Sequence, residues 1–459
     1  MSKTFRSWDV DQVWLLPPSI HDFVPPGHPS HFVRETVRLS LDLSAILETY
    51  SEERGHPPYD PTMMTALLLY AYSSGVYSSR RIAKACEERI DFMAVTGLQK
   101  PDFRTISDFR KRHLAALSDL FVQVLGLCRA AGLAKLGHVA LDGSKIKANA
   151  SKHKAMSYGR MLKTEAKLRA EVAAWLKKAA AADLSEDREL GVELRGDEMP
   201  EWVADKQKRL AKIEEAKAAL EAEAKAAAEA KAADKARQQK PSAKDTKGKA
   251  EPPSDKPADK AQRNFTDPQS RILKTKDGFI QGYNAQAAVD ADHQVIVAHG
   301  LTSSGSDQGQ LGPMIEAVET MTGRRPKELS ADSGYCSEAN LKILEEQAIN
   351  GYVATGRQHH GQSSSGGTRR CRPGSRAAAM QRKLKRAGRR SRYRLRKVTV
   401  EPVFGQIKQA RGFRQFLLRG RDKVSHEWGL LCLAHNLVKL AAAARSLGPD
   451  AQYLPSPAG

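Results

Sequence analysis

Apolar residues recur at helical spacing through the first third of the chain. One wide apolar stripe begins at Met63, directly after Asp60 and Pro61, a pair that is typical of a helix start. Comparable patterns cover residues 32–47 and the segments that begin at Ser78 and at Pro101. Residues 30–135 are therefore predicted to form an all-helical domain, preceded by a Pro-rich arm of residues 1–29.

The pattern changes near residue 138, where a short β run contains Asp142 followed by glycine. Asp is disfavoured inside strands, and Asp–Gly is also a strong hairpin-turn signal, so a strand and a turn both stay open here. Residues 282–290 and 294–302 alternate on either side of a short turn and predict a β-hairpin. Later apolar runs predict a strand that ends in Asp332, a helix capped by Ser337, a strand over residues 351–356, and an apolar C-terminal helix.

Residues 155–236 form an Ala/Lys/Glu-rich segment in which apolar residues recur at heptad-like steps. This segment predicts an inserted antiparallel helical hairpin or short coiled coil. The charged, low-complexity residues 237–262 predict a disordered linker. The β-containing segments on either side, 136–154 and 263–445, are predicted to form one mixed α/β core, and residues 446–459 a C-terminal tail.

The composition restricts the class of protein. The net charge of +21 and the isoelectric point near 9.7 predict a polyanionic partner, most simply a nucleic acid. Five scattered cysteines without a C-x-x-C pair argue against a zinc ribbon and a disulfide framework, and they fit a reducing cytosol. The sequence contains no run of about 18 apolar residues, so no membrane span is predicted, and the N-terminus lacks the apolar core of a signal peptide. We therefore expect a cytoplasmic protein.

Two basic regions are candidates for DNA contact. In the first, four cations lie beside apolar positions of one predicted helix: Arg104, Arg110, Lys111 and Arg112. Such a helix suits contact with phosphates, so the helical domain of residues 30–135 is predicted to bind DNA, but the helix is equally compatible with an ordinary solvated basic face. In the second region, a basic tract that includes Arg394 and Lys397 leads to Glu401, with Lys408 about two helical turns further on.

Glu401 has no acidic neighbour in this tract. Pro402 predicts that a helix begins here, because its missing N–H would be unpaired in a first helical turn anyway. Glu401 is then either a surface ion-pair partner or a metal ligand beside a polyanion. The second alternative requires partner carboxylates, and Asp142 and Asp332 at strand ends are the candidates. Three carboxylates without thiol or imidazole suit Mg²⁺ or Mn²⁺ rather than zinc.

In this order, the three acidic motifs resemble those of the DDE transposases of bacterial insertion sequences, in the branch with a helical insertion after the first Asp. The matching motifs are Ala-Leu-Asp142-Gly-Ser-Lys-Ile, Ala-Asp332-Ser-Gly-Tyr and Val-Glu401-Pro-Val-Phe-Gly-Gln-Ile-Lys408. The likeness covers most of residues 25–445 apart from the linker. It also includes Gly282-Tyr-Asn284 with Asp290, which match the family's second strand. Residues 55–113 resemble its helical N-terminal domain.

This resemblance implies a ribonuclease-H-like mixed sheet in which Asp142, Asp332 and Glu401 are catalytic and bind two Mg²⁺ or Mn²⁺ ions. It implies DNA as partner, both element ends and target DNA, and metal-dependent cleavage followed by strand transfer. It also implies a homodimer or larger assembly on DNA, no membrane, and a place near the bacterial nucleoid. Lys408 matches the basic residue that follows the family's glutamate. The family often has Tyr and Arg at set distances before that glutamate, but Arg394 and Lys397 occupy those places here.

Three other functions stay open at this point. A metal-dependent nuclease on the same core would cut DNA without joining it. A degenerate copy would only occupy DNA, although the three acids argue against this. A structural protein built on the Ala/Lys/Glu-rich hairpin would leave the acids unexplained.

Overall fold

The computed structural model of the chain describes residues 19–50, 57–190, 201–238, 256–356 and 371–446. Most of the predicted arm, most of the linker and almost all of the predicted tail lie outside these residues.

The described residues form helices and strands with the following bounds. The helices are α1 (Pro29–Ser40), α2 (Ser44–Leu47), α3 (Pro61–Ser73), α4 (Ser79–Glu88), α5 (Ile90–Thr96), α6 (Phe103–Arg112), α7 (Leu114–Ala130), α8 (Tyr158–Leu190), α9 (Glu201–Gln238), α10 (Leu311–Thr322), α11 (Glu338–Glu346), α12 (Arg376–Ala387), α13 (Leu395–Gly405) and α14 (Arg421–Ser446). The strands are β1 (His138–Lys147), β2 (Ala155–Ser157), β3 (Gln262–Asn264), β4 (Arg271–Thr275), β5 (Gly278–Asp290), β6 (Ile296–Thr302), β7 (Glu328–Ala331) and β8 (Asn350–Val353).

The N-terminal helices begin where capping residues predict. Asp60 accepts a hydrogen bond from the Thr62 N–H (2.6 Å), and α3 starts at the proline between them. The single helix predicted over residues 32–47 is wrong, because the chain is extended at Leu41 between α1 and α2. Leu41 and Leu43 are apolar because both side chains are buried, and not because they lie on one face of a helix.

The sheet is mixed, with the strand order β4-β5-β1-β7-β8 and with β6 also paired to β5. β5 is antiparallel to β1, β4 and β6, whereas β1, β7 and β8 run parallel to one another. β1 passes through Asp142 without turning and pairs with β5 from Val139 to Lys147. The hairpin-turn alternative at Asp142 is therefore wrong, because Asp142, Gly143 and the residues on either side of them all pair with β5.

α14 packs between the sheet and the N-terminal helices, and all three share one hydrophobic core. A Cβ atom added at Gly429 of α14 would lie 2.3 Å from the Ser118 Oγ of α7 and 3.0 Å from the His299 Cε1 of β6. Only glycine allows this close approach of α7, α14 and β6. Trp428, fully buried beside it, donates its indole N–H to the Gln286 carbonyl of β5 (2.9 Å).

The insertion is a pair of antiparallel helices, α8 and α9, with its own small core separate from the main one. Ion pairs join the two helices, and partners further along α8 lie earlier along α9, as expected for antiparallel helices. The pairs are Glu165 with Lys217, Arg169 with Glu214, and Glu171 with Lys206. The antiparallel pair β2–β3 closes the base of the insertion.

The helix that carries Glu401 begins earlier than predicted. α13 starts at Leu395, so Pro402 lies inside the helix and not in its first turn. A proline there leaves the carbonyl four residues earlier without its helical donor. That carbonyl, of Val398, accepts instead from the Gln294 side-chain amide (2.8 Å). This substitute donor explains how the helix tolerates its internal proline.

None of the described helices is, by itself, long and apolar enough to cross a membrane. The pair α6 and α7, bent by 71°, passes that test by length and composition only when the two are joined.

Candidate active site

The guanidinium of Arg396 connects two of the three predicted acids. Its Nη1 donates to the Asp142 Oδ2 at 2.7 Å, and its Nη2 donates to the Glu401 Oε1 at 2.9 Å. The side chain of Arg396 is 13% exposed and that of Asp142 is 18%, whereas that of Glu401 is 45% exposed. The contact of Arg396 with Asp142 on the strand is thus largely buried, whereas Glu401 on the helix is exposed to solvent.

The fold brings these residues together from distant parts of the sequence. Leu141 of β1 pairs with Ala331 of β7, so Asp142 and Asp332 follow neighbouring positions of two parallel strands. Arg396 and Glu401 both lie on α13, which packs on β1. Asp332 is held in place by the Gly334 N–H, which donates to its Oδ1 at 2.8 Å.

The site is electrostatically frustrated. Burial raises the pKa of Asp142 to about 7, and the negative charges of Asp332 and Asp307 contribute to the increase, while Arg396 opposes it. Burial also raises the pKa of Asp332. For Arg396, burial by itself would lower the pKa, but the surrounding anions outweigh it and raise that pKa. The site therefore holds more negative charge than one guanidinium neutralises.

A fourth acid, Asp307, was missed by the sequence analysis. Its Oδ1 accepts from the side-chain amides of Asn284 (2.7 Å) and Gln286 (2.8 Å), which alternate along β5. It also lies against the glycines that follow the two site aspartates. A Cβ at Gly143 would be 2.6 Å from Asp307 Oδ1, and one at Gly334 would be 3.2 Å from its Oδ2. The signal that could have found it was two amide side chains at alternating positions in an apolar strand.

Lys408 lies within a π-helical turn, Gln406–Ala410, that follows α13. Its ammonium donates to the Ser144 Oγ (2.6 Å) and to the Lys145 carbonyl (2.9 Å), both on β1 just after Asp142. Burial lowers the pKa of Lys408 below its usual value. The structure therefore brings Lys408 to the same strand as the first acid.

Two family models match the chain. Residues 18–112 match the transposase domain DUF772, and residues 362–441 match the transposase DDE domain. The second segment contains Arg396, Glu401 and Lys408. The chain belongs to the DDE transposases of insertion sequences. Comparisons with curated proteins and with solved structures give no match.

Asp142 and Asp332 of the transposase lie outside both matched segments. Their connection to the DDE-domain segment is structural: Arg396, inside that segment, holds Asp142 directly. The geometry thus joins the first acid to the helix that the family model recognises.

The Tyr and Arg expected upstream of Glu401 occur one residue earlier than the family spacing. Tyr393 is buried, and its pKa is raised by burial but lowered by Arg396 beside it. Arg394 and Lys397, which stand at the family spacing, are both exposed, and Arg396 is the cation at the acids. A fixed spacing does not find Arg396, because it stands five residues before Glu401, whereas the family position four residues before it holds Lys397.

The predicted basic helix, α6, divides into exposed and buried cations. Arg104, Lys111 and Arg112 are exposed, and Lys111 pairs with Asp108 (3.2 Å). Arg110, however, is only 6% exposed and donates to the Tyr77 carbonyl (2.9 Å). Arg110 therefore belongs to the packing of the helices and not to the exposed basic face, because its guanidinium is enclosed by the protein.

Members of the DDE transposase domain family are generally dependent on divalent metals. Among the residues that the structure describes, no three Asp, Glu, His or Cys side chains are grouped closely enough to hold one metal ion. The donor chemistry nevertheless fits a hard cation, since the convergent groups are carboxylates whose charges the single guanidinium does not balance. A divalent cation would compete with Arg396 for Asp142 and Glu401.

Proposed function

We propose that this transposase binds the ends of its insertion sequence, cleaves phosphodiester bonds there and joins the freed 3′-OH to target DNA. The observation that carries the proposal is the Arg396 bridge. It brings Asp142 of the central strand to Glu401 of the DDE-domain segment, and Asp332 follows the adjacent parallel strand. We propose further that it works in the bacterial cytoplasm near the nucleoid, as a homodimer or larger assembly that holds two DNA ends.

We also propose that the core is ribonuclease-H-like. Three features support this: the strand order β6-β5-β1-β7-β8, the antiparallel direction of β5 and the parallel direction of β7 and β8 relative to β1. Ligands of open α/β sheets collect beyond the carboxyl ends of the parallel strands, where Asp332 lies.

In this proposal Asp142, Asp332 and Glu401 hold two Mg²⁺ or Mn²⁺ ions. The ions, when bound, would activate the attacking oxygen and stabilise the leaving oxygen of an in-line displacement. Lys408 fixes the β1 segment that follows Asp142 and adds positive charge for a DNA phosphate. The exposed cations Arg394, Lys397, Arg104, Lys111 and Arg112 are proposed DNA contacts.

The test is a supercoiled-plasmid assay with the element ends and Mg²⁺. We expect wild-type protein to give excised and joined products. Glu401→Gln should bind the ends but lose at least a hundredfold of the cleavage rate, because it lacks one anionic ligand. Glu346→Gln is the matched control, since Glu346 is an exposed residue of α11 that pairs with Lys342 of the same helix. It should cleave like wild type.

The other outcomes separate the alternatives. Nicked products without joining would identify a nuclease on the same core. Binding without cleavage by any of the three proteins would identify a DNA-binding copy without activity. Full cleavage by Glu401→Gln would remove Glu401 from the catalytic set.

A further inference from the structure

The segment before the site carries an extreme charge. Residues 376–397 contain 11 Lys and Arg residues and no Asp or Glu. Like charges at helical neighbour positions destabilise an isolated helix, and α12 lies entirely within this segment. The segment cannot neutralise itself, so its cations must be balanced by other parts of the chain, by solvent ions or by a partner.

The protein itself balances some of these cations. Arg376 pairs with Glu345 (2.7 Å) and Arg392 with Glu328 (2.9 Å). Lys383 donates to the Gly351 carbonyl (2.7 Å) and lies over the Tyr352 ring (4.3 Å). Arg376 and Lys383 thus secure α12 to α11 and to β8, and Arg392 secures the segment after α12 to β7.

Three cations of α12 are left for another role. Arg382, Lys385 and Arg386 are exposed and lie on one face, since their spacing is i, i+3 and i+4. Within the part of the chain that the structure describes, none of the three forms an ion pair. We call these three residues the α12 basic face.

The α12 basic face is rigidly connected to the acids. Leu384, between its members, is fully buried in a small core with Ala354, which follows β8, and with Tyr393. Tyr393 comes three residues before Arg396, which holds Asp142 and Glu401. The packing of one leucine thus fixes the basic helix relative to the candidate active site.

We propose that the α12 basic face binds the phosphate backbone of duplex DNA next to the acids, independently of sequence. This inference rests on the proposed function. From Arg382 to Arg386 the α12 basic face extends about 6 Å along the helix axis, a length over which duplex DNA advances roughly two base pairs. Arg and Lys contacts to phosphate position a duplex without reading its bases. The face therefore suits target or flanking DNA, whose sequence varies.

The test compares Arg382→Gln/Arg386→Gln with a charge-matched control, Lys208→Gln/Arg209→Gln, in the full chain. The control residues are also exposed, but they lie on α9 of the insertion, whose small core is separate from the main one. Binding to a labelled 40-base-pair duplex of arbitrary sequence is followed by fluorescence anisotropy over a KCl series.

Each lost phosphate contact lowers the slope of log affinity against log salt by about 0.9. We expect the α12 variant to lose roughly 2 from that slope and about tenfold or more in affinity near 0.1 M salt. The control should keep the wild-type slope. Arg382→Lys/Arg386→Lys should also keep it, because the charges remain. If the glutamine variant does not fold, as judged by thermal unfolding, Lys385→Gln alone should lower the slope by about 1.

Equal slopes for the wild type and the α12 variant would overturn the inference, as would an equal loss in the control. A plasmid cleavage assay on the same proteins separates this from the proposed function. If wild type cleaves and joins DNA while the α12 variant binds normally, only the α12 assignment fails. If wild type neither binds nor cleaves, the proposed function fails, and the α12 assignment with it.

Discussion

At the residue scale, Gly143 is the position where the site tolerates least change. It follows Asp142 in β1 and pairs with Gln286 of β5. A Cβ there would lie 2.2 Å from the Gln286 Nε2, which donates to Asp307. The absence of a side chain at Gly143 is what lets the amides of β5 reach across to Asp307.

We expect Gly143→Ala to destabilise the transposase by about 1–3 kcal/mol, because Gln286 must leave its bond to Asp307 or the strands must separate. Gly126→Ala, in α7, is the opposite case, since nothing lies within 4 Å of its Cβ position. It should stabilise the protein by about 0.5–1 kcal/mol by restricting the unfolded chain. Denaturant unfolding of both variants measures the difference, and similar effects of the two would contradict the steric argument.

Single residues also show what the sequence could predict. Asp142, Asp332 and Glu401 each stand in a motif, so the sequence alone identifies them as candidates. The structure adds the contacts of Arg396 with Asp142 and Glu401 and the β1–β7 register that places Asp332 near Asp142. Asp307 and Arg396 could not be found this way. Asp307 meets Asn284 and Gln286 through the pairing of β5 with β6, and it meets Gly143 through the pairing of β5 with β1. Arg396 stands among many cations, of which only the fold selects one.

At the element scale, α14 depends on a buried histidine in a fixed tautomer. The Nε2–H of His435 donates to the Gln294 carbonyl (2.9 Å), and its Nδ1 accepts from the Arg411 guanidinium (2.8 Å). Burial, with the nearby charges of Arg411 and Lys439, lowers the pKa of His435 to about 3. A proton on this ring would have neither water nor an anion to stabilise it.

This arrangement predicts that the contribution of His435 to stability falls in mild acid. In the unfolded chain His435 takes up a proton near pH 6.5, whereas the folded protein resists it down to about pH 3. The stabilisation that His435 contributes is therefore complete above pH 6.5 and is lost as the pH falls through that window, by at most about 1.4 kcal/mol per pH unit, whereas the raised pKa of Asp142 acts in the opposite direction. Thermal unfolding between pH 7.5 and 5 measures this loss.

His435→Gln supplies the comparison, because glutamine can donate and accept without titrating. It should show a shallower decline with pH, while His293→Gln, at an exposed position, should decline like wild type. An unchanged slope in His435→Gln would exclude this histidine as the source.

Elements with strong local signals were predicted well, and the errors have physical causes. Asp60 and Ser337 mark helix starts in the sequence and cap them in the structure. Pro402 suggested a helix start, because a proline inside a helix leaves the carbonyl four residues earlier without a hydrogen-bond donor. Gln294 supplies one from the turn between β5 and β6, which no local pattern in α13 could indicate.

At the scale of the whole molecule, the N-terminal helices and the sheet are joined through α14. Phe121 of α7 packs edge-on against His299 of β6 (4.7 Å), and Ser118 lies against Gly429. The sequence predicted residues 30–135 as a separate domain, because composition and periodicity change after them. Neither property reports that α7 buries its apolar side against the last helix of the chain.

We therefore expect a fragment of residues 19–135 to lack a cooperative thermal transition, because α7 would expose the surface that α14 covers. The full chain should unfold with these helices and the sheet in one transition. Differential scanning calorimetry of both proteins measures this. A sharp transition in the fragment, with the secondary structure of the intact protein by circular dichroism, would contradict it.

The closed base of the insertion has an evolutionary consequence. β2 and β3 bring the two ends of the α8–α9 hairpin side by side, and its small core is separate from the main one. Doubling the length of a loop whose ends already meet costs only about 0.6 kcal/mol. Related elements can therefore gain, lose or exchange this appendage while the acids keep their places. We expect lineages of this transposase to diverge in hairpin length far faster than in the strands that flank it.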